Sequence, residues 1–344
     1  MDRETHRPAG GERVPVPGIS CLSDADLTST TLAPRLSAPI SGGGVRESMI
    51  GQAPFRAAEK SGVRAGLAEP VSIRTRDNVL LHGALFEPSG PTTTAVLLVH
   101  GAWGNFYTGP GRFLPAALAR AGVACLTLNL RGHDYGTVID REPSIGMMRD
   151  QFEDCPEDIT AGLDFLCERG YHRLVLAGHS LGAAKVGYSQ LVEPHPAVRA
   201  LILCSLATLM SESAEFYLDM PYDTVVQDVT RLVESGQGEQ ILILRHDGPM
   251  PVVVTPRTFL SLWGPEPAND MRKYIGQLRL PILFVTCAGD IPSYQERTRA
   301  LFELADQAEP RDLVILPRGD HYLFGAEEPF QASVLDWLNK LGLH

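Results

Sequence analysis

The chain has 344 residues, 44% of them hydrophobic, and a formal net charge of -11. This composition is typical of a globular protein with one large or two ordinary domains, and the negative charge argues against a nucleic-acid or anionic-membrane surface. No apolar run approaches the roughly 18 to 20 residues that span a bilayer, and no apolar block follows the first residues as in a secretory signal. The six cysteines show no C-x-x-C spacing, and Cys125, Cys204 and Cys287 lie inside apolar strand-like runs, so we expect reduced, buried thiols. With no signal and no membrane span in the sequence, a cytoplasmic, reducing location is the default expectation.

Residues 1–66 form a leader that is rich in Pro, Gly, Ser and Ala and lacks a sustained apolar period. Such a segment cannot bury enough apolar surface to offset its chain entropy, so we predict that it is disordered. A further hypothesis is that translation starts near Met49, which mass spectrometry of the native N-terminus would test.

The chain after the leader is predicted to start with a hairpin and to continue as alternating strands and helices. Residues 71–76 and 79–86 flank an Asp77-Asn78 turn, which predicts two antiparallel strands. The later strands are continuous apolar runs, as expected where both faces of a parallel sheet are buried. The later strands are predicted at 95–99, 123–130, 174–177, 200–204, 281–286 and 312–316, and helices at 113–121, 152–169, 183–192 and 330–341. This alternation predicts an α/β fold with helices on both faces of the sheet.

Residues 207–280 interrupt the alternation with a connection far longer than a simple crossover needs. We predict an amphipathic helix over 225–233, a small hairpin formed by 241–244 and 252–254, and a second helix over 256–263. Because long ordered connections are usually functional, we expect this segment to form a cap over the carboxyl ends of the strands. The alternative is a structural excursion at the edge of the sheet.

The pentapeptide Gly178-His179-Ser180-Leu181-Gly182 joins a predicted strand to a predicted helix. At such a junction, G-x-S-x-G spacing is typical of a turn that holds its serine in a strained conformation and exposes the hydroxyl group as a nucleophile. The glycines remove the Cβ atoms that would collide in this turn. The alternative for Ser180 is a helix-capping serine, for which this residue type is also favoured.

Two other strand ends carry groups that complement a serine nucleophile. Asp290 follows strand 281–286 and His321 follows strand 312–316, which gives the order Ser, Asp, His found in one version of the serine triad. His321 would take the proton of Ser180 and return it to the leaving group, while Asp290 would fix the imidazole tautomer. The backbone N–H groups of Leu181 and Ala102 are the expected oxyanion donors.

Neighbouring polar residues are expected to have supporting roles. We expect His100 to order the oxyanion loop, which is the loop after strand 95–99 that carries Ala102. We also expect His179 to point away from the reacting bond and the Asp320 carboxylate to be structural. His133 and Asp134 are expected to fix a turn. No cluster of His, Cys and Asp has metal-ligand spacing, so no metal site is predicted. The aromatic residues that could line an acyl pocket, or belong to the core, are Trp103, Phe106 and Tyr107.

With His100-Gly101, 178–182, 288–290 and 319–321 in this order, residues 70–344 resemble the α/β-hydrolase family. The resemblance implies a three-layer fold with an eight-stranded, mostly parallel sheet. This core would be built from 67–206 and 281–344, with 207–280 as a cap after the sixth strand. It also implies a serine hydrolase mechanism that uses neither a metal nor an organic cofactor.

The expected function is hydrolysis of a carboxylic ester or thioester of a small-molecule acyl substrate through a Ser180 acyl-enzyme. A second possibility uses the same acyl-enzyme but transfers the acyl group to another acceptor, or releases or cyclises a product held on a carrier. A third is a non-catalytic binding protein on this scaffold, against which the presence of Ser180, Asp290 and His321 argues.

Overall fold

The computed structural model describes residues 20–21, 67–138, 142–246 and 250–344. The strands in this part of the chain are β1 (Ser20–Cys21), β2 (Ala68–Arg74), β3 (Leu80–Phe86), β4 (Thr94–Val99), β5 (Ala124–Leu128), β6 (Arg173–His179), β7 (Val198–Cys204), β8 (Leu242–Arg245), β9 (Val252–Val254), β10 (Ile282–Cys287) and β11 (Arg311–Leu316). The α-helices are α1 (Leu114–Arg120), α2 (Cys155–Glu168), α3 (Leu181–Val192), α4 (Ala214–Tyr217), α5 (Tyr222–Glu234), α6 (Pro256–Trp263), α7 (Pro292–Leu304) and α8 (Glu327–Lys340).

Eight of these strands form one sheet in the order β11-β10-β7-β6-β4-β5-β3-β2. The pairs β2–β3 and β3–β5 are antiparallel, and the other neighbours are parallel. The predicted α/β-hydrolase fold, with an eight-stranded and mostly parallel sheet, is therefore confirmed. The predicted hairpin at the start of the ordered chain is β2–β3.

Both faces of the sheet are buried, which explains why its central strands are apolar along their whole length. Val96 and Leu98 of β4 belong to a core cluster that also contains residues of α1 and α8. Leu97 and Val99 point to the other face and share a second cluster with residues of α2 and α3. Burial of each such aliphatic side chain contributes about 1.5 to 3 kcal/mol, so the two clusters fix the sheet between its helices.

The strand register brings four loops to one edge of the sheet. Val99 pairs with Gly178, so the loop after β4 lies beside the turn after β6. Cys287 pairs with Leu316, so the loops after β10 and β11 are neighbours in the same way. Because parallel strands place their carboxyl ends together, these loops converge on one place.

The long connection between β7 and β10 contains α4, α5, the antiparallel pair β8–β9, and α6. The predicted amphipathic helix, hairpin and second helix of this segment are all present. The residues of the predicted hairpin turn at 247–249 lie outside the described residues. Two helices were not predicted from the sequence, namely α4 and α7.

The leader contributes one described element. Strand β1 pairs in antiparallel fashion with β8, with Ser20 opposite Ile243 and Cys21 opposite Leu242. The backbone of these two residues completes a three-stranded sheet with β8 and β9, within the leader that the sequence predicts to be disordered. The rest of the leader, including Met49, lies outside the described residues up to position 66.

No helix in the described part of the chain is long and apolar enough to cross a membrane.

Candidate active site

The turn after β6 holds Ser180 in a strained backbone conformation, with φ 55° and ψ -121°. A positive φ is uncommon for a residue with a side chain and persists only where the surroundings impose it. A Cβ atom at Gly178 would lie 2.3 Å from the Gly182 carbonyl oxygen, and one at Gly182 would lie 2.4 Å from the His100 carbonyl oxygen. Only glycine fits at either position, as the spacing predicted.

Ser180, His321 and Asp290 form a continuous hydrogen-bonded chain. The His321 Nε2 atom lies 3.1 Å from Ser180 Oγ, and its Nδ1 atom lies 3.1 Å from Asp290 Oδ1. The Asp290 side chain is fully buried, and its Oδ1 atom also accepts a hydrogen bond of 2.7 Å from the Ile291 N–H. This arrangement can draw a proton from the serine hydroxyl to Nε2 while the carboxylate stabilises the imidazolium that forms.

The two expected oxyanion donors lie beside Ser180. Leu181 is the first residue of α3, so its N–H has no acceptor within the helix. The loop after β4 approaches closely, since a Cβ atom at Gly101 would lie 2.9 Å from Ser180 Cβ. Ala102 and Leu181 line the same cavity as Ser180. The two residues expected to supply oxyanion donors thus lie at the cavity that contains Ser180.

His100 joins the loop after β4 to the segment that follows β5, and it is not among the residues that line the cavity at Ser180. Its Nε2 atom accepts a hydrogen bond of 3.1 Å from the Leu130 N–H, so Nδ1 carries the proton and donates to the Gly101 carbonyl at 2.8 Å. Burial lowers the pKa of His100 to about 3, and the imidazole is neutral at physiological pH.

His179 supports the loop that carries His321. Its Nε2 atom lies 2.7 Å from the His321 carbonyl oxygen, so this nitrogen carries the proton and donates it. Burial, followed by the nearby charge of His321, lowers the pKa of His179 to about 3. The sequence predicted a residue directed away from the reacting bond but not this contact, because the pattern does not show which loop lies beside the turn.

The other polar residues singled out in the sequence hold loops in place. One carboxylate oxygen of Asp320 accepts hydrogen bonds of 2.9 Å from the backbone N–H groups of Tyr322 and Phe324. The Asp134 carboxylate contacts His133 Nδ1 at 2.8 Å and accepts from Asn105 Nδ2 at 3.0 Å. Asp320 is thus engaged within its own loop, and Asp134 joins the loops that follow β4 and β5.

Ser180 and His321 open onto a cavity of about 260 Å³. The connection between β7 and β10 supplies much of its lining, including Tyr217, Met250, Trp263, Asn269 and Met271. Of the three aromatic residues predicted as pocket candidates, Trp103 lines the cavity, and its ring lies 5.5 Å from that of Trp263. Phe106 and Tyr107 are not among the described lining residues, and Tyr107 is mostly exposed.

Two tyrosines beside His321 were not predicted from the sequence. The hydroxyl groups of Tyr217 and Tyr294 lie 2.7 Å apart, and the Tyr294 ring packs edge-on against the His321 imidazole with centroids 5.1 Å apart. Tyr294 lies four residues after Asp290, which is the one sequence feature that links it to the site. Tyr217 reaches the site only through the fold of its own segment.

Among the described residues, no group of three or more His, Cys, Asp and Glu side chains is placed to hold a metal ion.

Several solved structures resemble this fold at low sequence identity. Est1E from Butyrivibrio proteoclasticus, solved with ferulic acid bound, aligns with a TM-score of 0.59 and 18% identity over 78% of this chain and 98% of that chain. The esterase PF2001 from Pyrococcus furiosus gives 0.56 and 16% over 80% and 91%. The alpha/beta hydrolase GrgF from Penicillium sp. sh18 gives 0.61 and 17% over 80% and 98%. At this level of identity the likeness shows a shared fold.

A search of curated proteins finds no match. Residues 96–334, which include Ser180, Asp290 and His321, match the model of the alpha/beta hydrolase family. This match spans more than half of the chain and agrees with the sheet order and the strained turn at Ser180. The chain therefore belongs to the alpha/beta hydrolase family.

Proposed function

We propose that this protein hydrolyses carboxylic esters of small molecules through an acyl-enzyme formed on Ser180. The observation that carries the proposal is the chain of contacts from Ser180 Oγ through the His321 imidazole to the buried Asp290 carboxylate, at 3.1 Å for each step. A helix-capping serine would need neither partner. Ser180 makes no capping bond to the backbone of α3 through its side chain.

In the proposed mechanism, Ser180 Oγ attacks the ester carbonyl carbon while His321 Nε2 takes the hydroxyl proton. The negative charge that develops on the carbonyl oxygen is stabilised by the N–H groups of Ala102 and Leu181. His321 then gives its proton to the departing alcohol oxygen as the carbon–oxygen bond breaks. A water molecule, deprotonated by the same nitrogen, attacks the acyl-enzyme and releases the acid. A thioester would follow the same steps with a thiol as the leaving group.

The proposal includes a cap role for residues 207–280. Residues of this segment line the cavity that contains Ser180, and Trp263 packs against Trp103 of the oxyanion loop. Because this segment supplies much of the cavity lining, its side chains would determine which acyl groups fit beside Ser180.

Labelling with a fluorophosphonate probe tests the nucleophile, with Ser180→Ala compared against the wild type. We expect loss of labelling and a fall in kcat for p-nitrophenyl acetate of on the order of 10⁵- to 10⁶-fold, because the nucleophile and its base act as a unit. Ser189→Ala is the matched control, since Ser189 is buried on α3 outside the cavity lining.

Equal labelling of the wild type and Ser180→Ala would refute the assignment of the nucleophile. A wild type that neither labels nor cleaves any ester or thioester would instead support a binding protein. A panel that pairs each p-nitrophenyl ester with the thioester of the same acid would distinguish the two leaving-group classes.

A further inference from the structure

The cavity at Ser180 follows one face of helix α7 from the molecular surface into the interior. Four residues at helical spacing form this face and line the cavity, namely Ile291 at the N-cap position and Tyr294, Arg297 and Leu301 within the helix. Ile291 is 38% exposed, whereas the other three are buried and Leu301 is only 1% exposed. The cavity is therefore open near Ile291 and closed near Leu301.

Helix α3 forms the opposite wall of the cavity. Ala184 lines it one turn after Ser180. Gly187, one turn further, is not among the described lining residues, and a Cβ atom there would lie 2.8 Å from the methyl carbon of Met271. Met271 is a buried lining residue of the short turn Met271–Lys273, which contacts both α3 and α7. Met271 thus ends the space between the two helices, which we call the closed arm of the cavity.

The two helices give the same depth for the closed arm. The Tyr294 ring packs against the His321 imidazole with centroids 5.1 Å apart, so Tyr294 marks the position of the catalytic centre along α7. Leu301 follows Tyr294 by seven residues, and Gly187 follows Ser180 by seven residues. At about 1.5 Å per residue, each helix advances by about 10 Å over this interval.

The inner end of the closed arm is apolar. Ala184, Met271 and Leu301 surround it, and all three are buried. Arg297 is the one described lining residue with a permanent charge, and ion pairs with the carboxylates of Glu212 and Asp270 neutralise it. These side chains favour a hydrocarbon chain, because burial of each methylene group in an apolar site is favourable.

The chemistry of the site decides which part of an ester enters the closed arm. The acyl carbon is bonded to Ser180 Oγ at the start of α3, whereas the leaving oxygen has to reach His321 Nε2 to receive its proton. Beside His321 the cavity is lined by Tyr322 and Ile291, which are 42% and 38% exposed. This arrangement directs the alcohol toward the open side and the acyl chain toward the closed arm.

We propose that the acyl group accepted by this enzyme is a hydrocarbon chain of about six to eight carbons, whose length is limited by Leu301 and Met271. The inference rests on the proposed ester hydrolysis at Ser180. An extended carbon chain with bonds of about 1.5 Å advances by about 1.25 Å per bond, so an arm of about 10 Å holds about eight carbons. A longer chain would have to displace the side chains at the inner end.

The test measures kcat/KM for the p-nitrophenyl esters of acetate, butyrate, hexanoate, octanoate and dodecanoate. We expect the wild type to prefer octanoate over both acetate and dodecanoate by about tenfold or more, because each methylene group bound in an apolar pocket raises kcat/KM. In Leu301→Ala, which lengthens the arm, the ratio of dodecanoate to octanoate should rise by about tenfold. In Ala184→Leu, which fills the arm near Ser180, the ratio of octanoate to acetate should fall by about tenfold.

Leu304→Ala is the matched control, because Leu304 lies on the same helix but is 46% exposed and is not among the described lining residues. It should keep the wild-type profile of chain lengths. Each ratio is taken within one enzyme preparation, so partial unfolding of a variant cancels, and circular dichroism establishes that each variant is folded. If the wild type cleaves these esters at Ser180 without preferring octanoate to dodecanoate, or if a folded Leu301→Ala or Ala184→Leu enzyme keeps the wild-type ratio, the inference is overturned and the proposed function stands.

Acetate esters of ethanol, hexanol and dodecanol test which part of the ester the arm holds. We expect Leu301→Ala and the wild type to show the same dependence on the length of the alcohol. If Leu301→Ala instead changes the profile of the alcohols and not that of the acids, the closed arm holds the alcohol and the inference is overturned. If no ester is cleaved and labelling does not depend on Ser180, the inference and the proposed function fall together.

Discussion

At Ser180 the backbone conformation is imposed by close contacts on both sides of the turn. The first residues of α3 pass so near the end of β4 that the hydrogen of Gly182 faces the carbonyl oxygens of Val99 and His100. The same approach brings the loop after β4 beside Ser180, since a Cβ atom at Gly101 would lie 2.9 Å from Ser180 Cβ. The geometry of the site thus depends on a position that carries no functional group.

Gly182→Ala tests this dependence. A Cβ atom there would lie 2.4 Å from the His100 oxygen and 2.6 Å from the Val99 oxygen, both backbone atoms of the sheet. We expect a loss of about 1 to 3 kcal/mol in the free energy of unfolding, as for other overpacked sites. We also expect kcat/KM to fall by about a hundredfold, because the oxyanion donors would shift relative to Ser180. Esterase assays and denaturant unfolding measure the two effects.

Gly90→Ala provides the control for that experiment, since a Cβ atom at Gly90 meets nothing within 4 Å. A Gly182→Ala enzyme as stable and active as Gly90→Ala would show that the turn does not require close approach.

The site residues that could be predicted from the sequence are those marked by their order and spacing along the chain. Ser180, Asp290 and His321 could be proposed together because each lies in the loop or turn after a strand, and parallel strands align their carboxyl ends. His179 lies in the same motif, yet its hydrogen bond to the His321 carbonyl could not be predicted, because it depends on the distance between two loops. Asn269 and Tyr217 could not be predicted for a similar reason, since the tertiary fold of a long connection places them at the cavity.

Helix α6 contacts the loop after β4 through one side chain. Trp263 at its C-terminal end is mostly buried and contacts Trp103 and Phe259, with ring centroids 5.5 Å and 5.9 Å away. Its backbone carbonyl also accepts a hydrogen bond of 2.8 Å from the Tyr222 hydroxyl of α5. Trp263 therefore joins α5 and α6 to the loop after β4.

Trp263→Ala should both destabilise the protein and enlarge the cavity. Removing a buried tryptophan costs about 3 to 5 kcal/mol, so the thermal midpoint should fall clearly. Because the lost ring is a wall of the acyl cavity, KM for p-nitrophenyl hexanoate should rise more than KM for the acetate. In the control Phe216→Ala, an exposed aromatic residue of α4 is removed, and stability should change by no more than about 0.5 kcal/mol. Equal effects on both esters would contradict a role for Trp263 in acyl binding.

Among the secondary-structure elements, the sequence predicted most accurately those whose buried side chains are apolar and continuous along the chain. The central strands were predicted because both of their faces are covered. Helix α7 was missed because its buried face consists of Tyr294, Arg297, Thr298 and Leu301, which have helical spacing but are half polar. Arg297 is buried through ion pairs with residues distant in sequence, so hydrophobic periodicity does not reveal the helix.

For the molecule as a whole, the buried imidazoles of His100 and His179 couple folding to pH. Burial lowers the pKa of each to about 3 in the folded protein, whereas an unfolded histidine has a pKa near 6.5. The unfolded chain therefore binds protons below about pH 6.5 that the folded chain does not bind. Stability from these groups is fully present above that pH and is lost as the pH falls toward 3. Asp158 acts in the opposite direction, because burial raises its pKa to about 6 despite its contact with Arg131.

The free energy of unfolding should accordingly fall between pH 6.5 and 5.5. Each of the two histidines contributes a loss of about 1 kcal/mol over this interval, and Asp158 offsets part of it, so the net loss is roughly 1 kcal/mol. Urea unfolding at pH 7.5, 6.5 and 5.5 measures the change.

In His100→Gln and His179→Gln the fall should be smaller by about 1 kcal/mol, since each variant removes one group that takes up a proton on unfolding. His172→Gln, at an exposed histidine, should keep the wild-type dependence on pH. If both buried-site variants lost stability with acid as steeply as His172→Gln, the two imidazoles would not be the groups that link folding to pH.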